Sequence, residues 1–207
     1  MRVKAVLFDL DGVLVDSLDV WYSALNETLG KFGKGRVGKG EYVKKYWGFS
    51  LSRNFERLGL GREAVEYCLS RYEHHLDEIG TFPEAEEVLG ELRRRGFRLA
   101  LVTNTPSRLV QRLLARLGLG DFFDAILTGD DVRRAKPHPE AVRKACRRLG
   151  VHPSQALLVG DTRSDVLAGR GAGVRVVGRG VEGDLRIEKL GELLLLLRRS
   201  GEEVPLP

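Results

Sequence analysis

Two aspartates two positions apart, Asp9 and Asp11, close a short apolar run, Val3 to Phe8 broken once by Lys4, and Gly12 follows. Residues i and i+2 share a face only while the chain is extended, so the pair sits at the carboxyl end of a strand, where Gly12 lets the chain turn. Two carboxylates held 4 Å apart repel by about 4 kcal/mol at an effective dielectric near 20. A bound cation relieves that repulsion, and one carboxylate can then serve as nucleophile while the other handles protons. An Asp- and Gly-rich turn without chemistry has the same short pattern, so the rest of the chain must supply the other parts. It offers Thr103 and Asn104 together, Lys136 in AKPHPE, and Asp161 in GDTRSD with Asp165 one helical turn on.

Five apolar runs suit the buried strands that would position these groups: Lys4 to Phe8, Arg98 to Thr103, Ala125 to Thr128, Ala156 to Val159 and Val174 to Val177. Helical segments separate them, the βαβ pattern of a parallel sheet covered on both faces. Glu84 to Arg95, Ser107 to Leu117, Pro139 to Leu149 and Ser164 to Ala172 carry apolar residues at helical spacing, and Gly96, Gly118, Gly150 and Gly173 stop them. The predicted architecture is α/β, a doubly wound (Rossmann-like) five-stranded parallel core.

The first connection is the exception. A crossover needs only about a dozen residues, yet the chain runs through residues 18 to 80 before the helix that leads to the second strand. Val20 to Phe32, Glu41 to Trp47, Leu51 to Leu58 and Arg62 to Glu78 read as helices, with a loop-like GKFGKGRVGKG after the first. The expected division is an α/β catalytic core, 1–16 and 80–207, and a small all-helical cap, 17–79, lying as a lid over the acids.

Each expected strand thus delivers a polar group at or just beyond its carboxyl end, the edge where open α/β sheets bind ligands. Acids, a hydroxyl, an amine and more acids converging there make a cation-assisted phosphate site. In DLDGVLVDS, the Thr103-Asn104 pair, Lys136 and GDTRSD, in that order, the chain resembles the haloacid dehalogenase superfamily of phosphohydrolases, over about residues 3 to 180. The resemblance implies that Asp9 attacks phosphorus to give an aspartyl-phosphate. It implies that Asp11 protonates the leaving oxygen and then deprotonates the water that breaks the intermediate. Mg²⁺ would be held by Asp9, the backbone carbonyl of Asp11 and Asp161, with Asp165 in contact directly or through water. Thr103, Asn104 and Lys136 would hold phosphate, and Lys136 would also steady Asp9. Hard oxygen ligands suit Mg²⁺, and a lysine offsets charge the metal leaves uncompensated.

Asp11 narrows the resemblance, because dehalogenases similar to this chain lack that acid and phosphonate-cleaving relatives replace it. The chain is most similar to phosphoglycolate phosphatases, which implies hydrolysis of a small phosphorylated metabolite, with a phosphoglycolate-like substrate expected. Two alternatives stand beside this: a sugar-phosphate mutase of the β-phosphoglucomutase kind, and a non-catalytic binding protein on the same fold. The mutases carry Glu-Asp where this chain has Ser164-Asp165, and their Lys-Gly-x-Ser-Arg loop is only partly echoed by Trp47 to Leu51. Arg53, in WGFSLSRNF, is the candidate for gripping a substrate carboxylate through a bidentate pair.

Other features carry less. GKGRVGKG, Gly33 to Gly40, lacks the Ser or Thr and the preceding strand of a phosphate-binding loop. His74 and His75 are adjacent and point apart on a helix; His138 and His152 read as turn residues, and Trp47 and Phe49 as core or cap lining. Net charge is +5, with basic pairs such as Arg147-Arg148 and Arg198-Arg199 scattered rather than striped. That excludes a nucleic-acid surface and leaves a general pull on small anions. Leu193 to Leu197 is too short to span a membrane, and Val3 to Phe8 too short for a secretion signal. Cys68 and Cys146 lack metal-ligand spacing and read as reduced, buried residues, so a cytoplasmic protein is expected.

Overall fold

The computed structural model describes residues 2–198; the Arg199 of the basic pair lies outside them. Ala5–Phe8 form β1, buried along its length, and its neighbours on either side are β4 (Arg98–Val102) and β6 (Ala156–Gly160), both parallel to it. Beyond β4 lies β5 (Ala125–Leu127), and beyond β6 lie β7 (Arg175–Arg179) and β8 (Leu185–Ile187). The order is β5-β4-β1-β6-β7-β8, so the chain winds outward on one side of β1 and then returns to wind outward on the other. The carboxyl end of β1 is therefore the switch point, where a ligand crevice opens.

The strand period of two sorts side chains between two apolar layers. Val6 and Phe8 of β1 face α5 (Ala85–Arg94) and α6 (Ser107–Leu117), whereas Ala5 and Leu7 face α7 (Glu140–Arg148) and α8 (Arg163–Ala172). Both faces are covered, which is why the strands read as continuous apolar runs.

Between β1 and α5 the chain forms a two-residue strand β2 (Val15–Asp16), helices α1 (Leu18–Lys31), α2 (Lys39–Lys45), α3 (Leu51–Arg57) and α4 (Arg62–His74), and a return strand β3 (Gly80–Thr81). β2 and β3 pair antiparallel as a ribbon separate from the main sheet. The expected helices are present, with the last ending at His74 and a 3₁₀ turn, Leu76–Glu78, after it. Main-sheet strands number six rather than five. The addition, β8, is only three residues with an exposed Arg186 at its centre, too short and too polar for an apolar-run criterion. After it comes α9 (Leu193–Leu196), which buries Leu193 and leaves Leu195 at the surface.

Candidate active site

Strand ladders extend one residue past β1 and β4 and fix the backbones of two site residues. Asp9 N–H donates to Val159 O at 2.9 Å, and Thr103 N–H donates to Leu127 O at 2.9 Å. Asp9 Oδ1 accepts from Leu10 N–H at 2.8 Å and pairs with Lys136 Nζ at 2.8 Å. Lys136 Nζ also donates to Asp165 Oδ1 at 2.6 Å and Val102 O at 2.9 Å. An ammonium has three protons, so this buried lysine is fully engaged. Burial pulls its pKa down, but Asp165 and Asp9 outweigh that and raise it above the usual lysine value.

Asp165 is fully buried. Its Oδ2 accepts from Thr162 N–H at 3.2 Å and Thr162 Oγ1–H at 2.5 Å, closing a capping box at the start of α8. Asp161 differs. Its Oδ2 accepts from the indole of Trp47 at 2.8 Å, but its buried Oδ1 has no partner. Burial first, then the charge of Asp165, pushes Asp161 up to about 7, and burial and Asp165 raise Asp9 well above the carboxylate range.

Asp9, Asp161 and Asp165 each place an oxygen within 4.8 Å of the others. With all three carboxylates ionised against one ammonium (−3 + 1), the cluster is two positive charges short, and the raised pKa values of Asp9 and Asp161 reflect that deficit. An orphaned carboxylate oxygen, all-oxygen donors and that deficit fit a hard divalent cation. Two glycines make the packing possible. A Cβ on Gly12, which has φ +77°, would lie 2.1 Å from Asp161 Oδ2, and one on Gly160 would lie 2.3 Å from Asp165 Cβ.

Asp11 is held from several sides. Its Oδ1 accepts from Ser17 Oγ–H at 2.5 Å and Trp21 Nε1–H at 2.9 Å, and its Oδ2 from Thr105 Oγ1–H at 2.6 Å. Trp21 in turn stacks on Tyr72, with ring centroids 3.8 Å apart. Thr103 Oγ1 accepts from Thr105 N–H at 3.0 Å, which leaves its own proton to donate. Asn104 is engaged with backbone: Oδ1 accepts from Lys136 N–H at 2.8 Å, and Nδ2 donates to Lys136 O at 3.0 Å and Gly48 O at 3.1 Å. Its amide thus ties the Lys136 loop to the helical insertion, where a phosphate contact was expected.

Asp9, Asp11, Thr103, Asn104 and Lys136 all line one cleft, roofed by Tyr42, Tyr46, Trp47 and Phe49 from the insertion. Arg53 is not brought there. It is exposed and lies over the outer part of that roof, 4.3 Å from the Phe49 ring centroid.

Residues 6–179 match the model of the haloacid dehalogenase-like hydrolases. The chain belongs to that family. Among relatives of this hydrolase, a pyrophosphatase, PpaX, of Bacillus velezensis is 35% identical over 209 residues, 93% of this chain and 95% of the relative. Phosphoglycolate phosphatase 1 of Pseudomonas aeruginosa is 37% identical over 186 residues, 83% of this chain and 67% of that protein. The crystal structure of CbbY from Rhodobacter sphaeroides in complex with phosphate superposes with a TM-score of 0.81 at 26% identity, covering 92% of this chain and 96% of that one. Among the described residues of this hydrolase no helix is long and apolar enough to cross a membrane.

Several site residues escaped the sequence reading. Ser17, Trp21, Thr105 and Tyr72 surround Asp11. Arg179 donates from Nη1 to Gly12 O at 2.6 Å while stacking on Phe82 at 3.8 Å, bracing the turn after Asp11 from a distant strand. Only Asn54 left a readable signal: Leu51, Asn54, Phe55 and Leu58 follow helical spacing, which puts Asn54 on the inner stripe of α3 and Arg53 off it.

Proposed function

We propose that this hydrolase is a Mg²⁺-dependent phosphatase of small phosphate monoesters, acting through an aspartyl-phosphate on Asp9. The observation that carries the reading is the Asp9 carboxylate, held by Lys136 in the cleft with the partnerless Asp161 oxygen beside it. Asp9, Asp161 and the backbone carbonyl of Asp11 would hold the cation, with Asp165 behind them. Bound there, it supplies charge neutralisation for the incoming phosphate oxygens.

In the first step an Asp9 oxygen bonds to phosphorus, the bond to the leaving oxygen breaks, and Asp11 delivers a proton to that oxygen. In the second, Asp11 takes a proton from water, the water oxygen bonds to phosphorus, and the bond to Asp9 breaks. The partners of Asp11 decide which oxygen carries the proton. The Trp21 indole can only donate, so Oδ1 stays an acceptor. Thr105 can rotate its hydroxyl from donor to acceptor, so Oδ2 is the protonated position. Thr103 directs its free hydroxyl proton at a phosphate oxygen, and Lys136 pairs with the Asp9 carboxylate and keeps it aimed.

The helical insertion, residues 17–79, serves as the cap that selects the leaving group. The name of the Pseudomonas relative places phosphoglycolate among the first esters to compare, and sugar phosphates belong in the same panel. Two buried, unpaired thiols, Cys68 and Cys146, support a reducing, cytoplasmic setting. Acid quenching during turnover, followed by mass spectrometry, tests the mechanism: a phosphoryl group should be found on Asp9. Mg²⁺-dependent release of free phosphate, rather than an isomerised ester, separates it from a mutase. Phosphate release with no covalent adduct at any time point would refute the proposed route.

A further inference from the structure

We infer that the leaving group of the substrate is uncharged and carries a hydroxyl that donates to Asn54 Oδ1, an inference that rests on the phosphatase reading above. Asn54 lines the cleft and is 2% exposed. Its Nδ2 donates to Tyr46 O at 2.8 Å, which fixes the amide orientation and leaves Oδ1 as a buried acceptor with no donor. A buried acceptor left unpaired opposes folding, and Leu or Phe on the same inward stripe would avoid that cost. A ligand O–H supplies what the amide oxygen lacks.

The rest of the wall excludes a second anion. Among the cleft-lining residues the one cation is Lys136, and its three protons already meet Asp9, Asp165 and Val102 O. Facing it across the cleft are Tyr42, Tyr46, Trp47, Phe49 and Leu51. A carboxylate or a second phosphate entering there would be desolvated against aromatic rings without a counter-charge. The C–H faces of a polyol or sugar suit the same rings, and its hydroxyls suit Asn54. Arg53, the nearest cation of α3, is outside the cleft on Phe49.

Three esters of matched size test this on the wild-type protein: 2-hydroxyethyl phosphate, ethyl phosphate and 2-phosphoglycolate, with p-nitrophenyl phosphate as a reference. The expected order of kcat/KM is hydroxyethyl, then ethyl, then phosphoglycolate, with about tenfold between the first two, the scale of one satisfied buried acceptor. In Asn54→Leu, checked for an unchanged melting profile, the hydroxyethyl-to-ethyl ratio should collapse towards one. If that variant does not fold, the wild-type order alone decides. Equal rates for all three esters would overturn the inference, as would a preference for phosphoglycolate that Arg53→Ala removes. Failure to hydrolyse any ester, p-nitrophenyl phosphate included, would instead refute the phosphatase reading on which it rests.

Discussion

The indole N–H of Trp47 donates to Asp161 Oδ2 at 2.8 Å across 114 positions of sequence, joining the helical insertion to the acid that follows β6. An indole can donate but not accept, so Trp47 holds Oδ2 of a carboxylate whose other oxygen, Oδ1, is left for a cation. The chain has two tryptophans, and the other, Trp21, donates to Asp11 Oδ1. Adding Mg²⁺ to metal-free protein should therefore shift tryptophan emission chiefly through Trp47. In Trp47→Phe most of the shift should disappear. An undiminished shift in that variant would show that Trp47 does not sense the cation.

Replacing Asp9 with Asn should abolish phosphate release and the covalent adduct while leaving the melting temperature unchanged or higher. Asp9 is a buried carboxylate whose pKa is raised by burial and by Asp165, so an amide relieves repulsion. Lys136 retains Asp165 and Val102 O. A variant that kept a tenth of wild-type turnover would rule out Asp9 as nucleophile.

Asp161 and Asp165 should fail in different ways. Asp161→Ala removes the oxygen without a partner and should weaken Mg²⁺ binding in calorimetry more than any other single acid at the site. Asp165→Ala removes a partner of buried Lys136 and the capping box of α8, so its main effect should be a loss of about 3 kcal/mol in chemical denaturation. Calorimetry showing the larger affinity loss in Asp165→Ala would reverse the assignment.

The two thiols should resist modification until the chain unfolds. Burial pushes Cys68 up to about 12 and Cys146 up to about 11. The sign is that of an acid kept neutral: thiolate, the reactive form, appears only as pH rises towards those values. At pH 8 a group with a pKa of about 12 is ionised in about one molecule in ten thousand. Thiol-reagent labelling at pH 8 should therefore track unfolding by denaturant, and rapid labelling of native protein would contradict the burial.

The acids, the lysine and the parallel sheet were legible because each depends on local pattern: an apolar run, a turn residue, a helix of fixed period. β8 was not, since Leu185 to Ile187 is held by pairing with β7 rather than by its own composition. The surroundings of Asp11 were hidden for a similar reason. Ser17 reaches it from just before α1, Trp21 from within α1, Tyr72 from α4 and Thr105 from beyond β4, a convergence that only tertiary structure creates. Arg53 and Asn54 mark the finer limit. Neighbours on a helix point about 100° apart, so the correct loop with the wrong residue selects an exposed guanidinium in place of a buried amide.

Strands β2 and β3 hold the two ends of the insertion side by side, Val15 opposite Thr81 and Asp16 opposite Gly80. The chain leaves the sheet and returns to it at one point, so everything from Ser17 to Ile79 is, topologically, a loop whose ends are already closed. Lengthening such a loop costs only about 0.6 kcal/mol per doubling. Inserts of very different size and sequence can be exchanged at this ribbon while β1 keeps its register and Asp9 its position. The ribbon is thus a splice point, across which the sheet and the helical insertion can diverge at separate rates, apart from the contacts of Trp21, Tyr72 and Trp47 with Asp11 and Asp161.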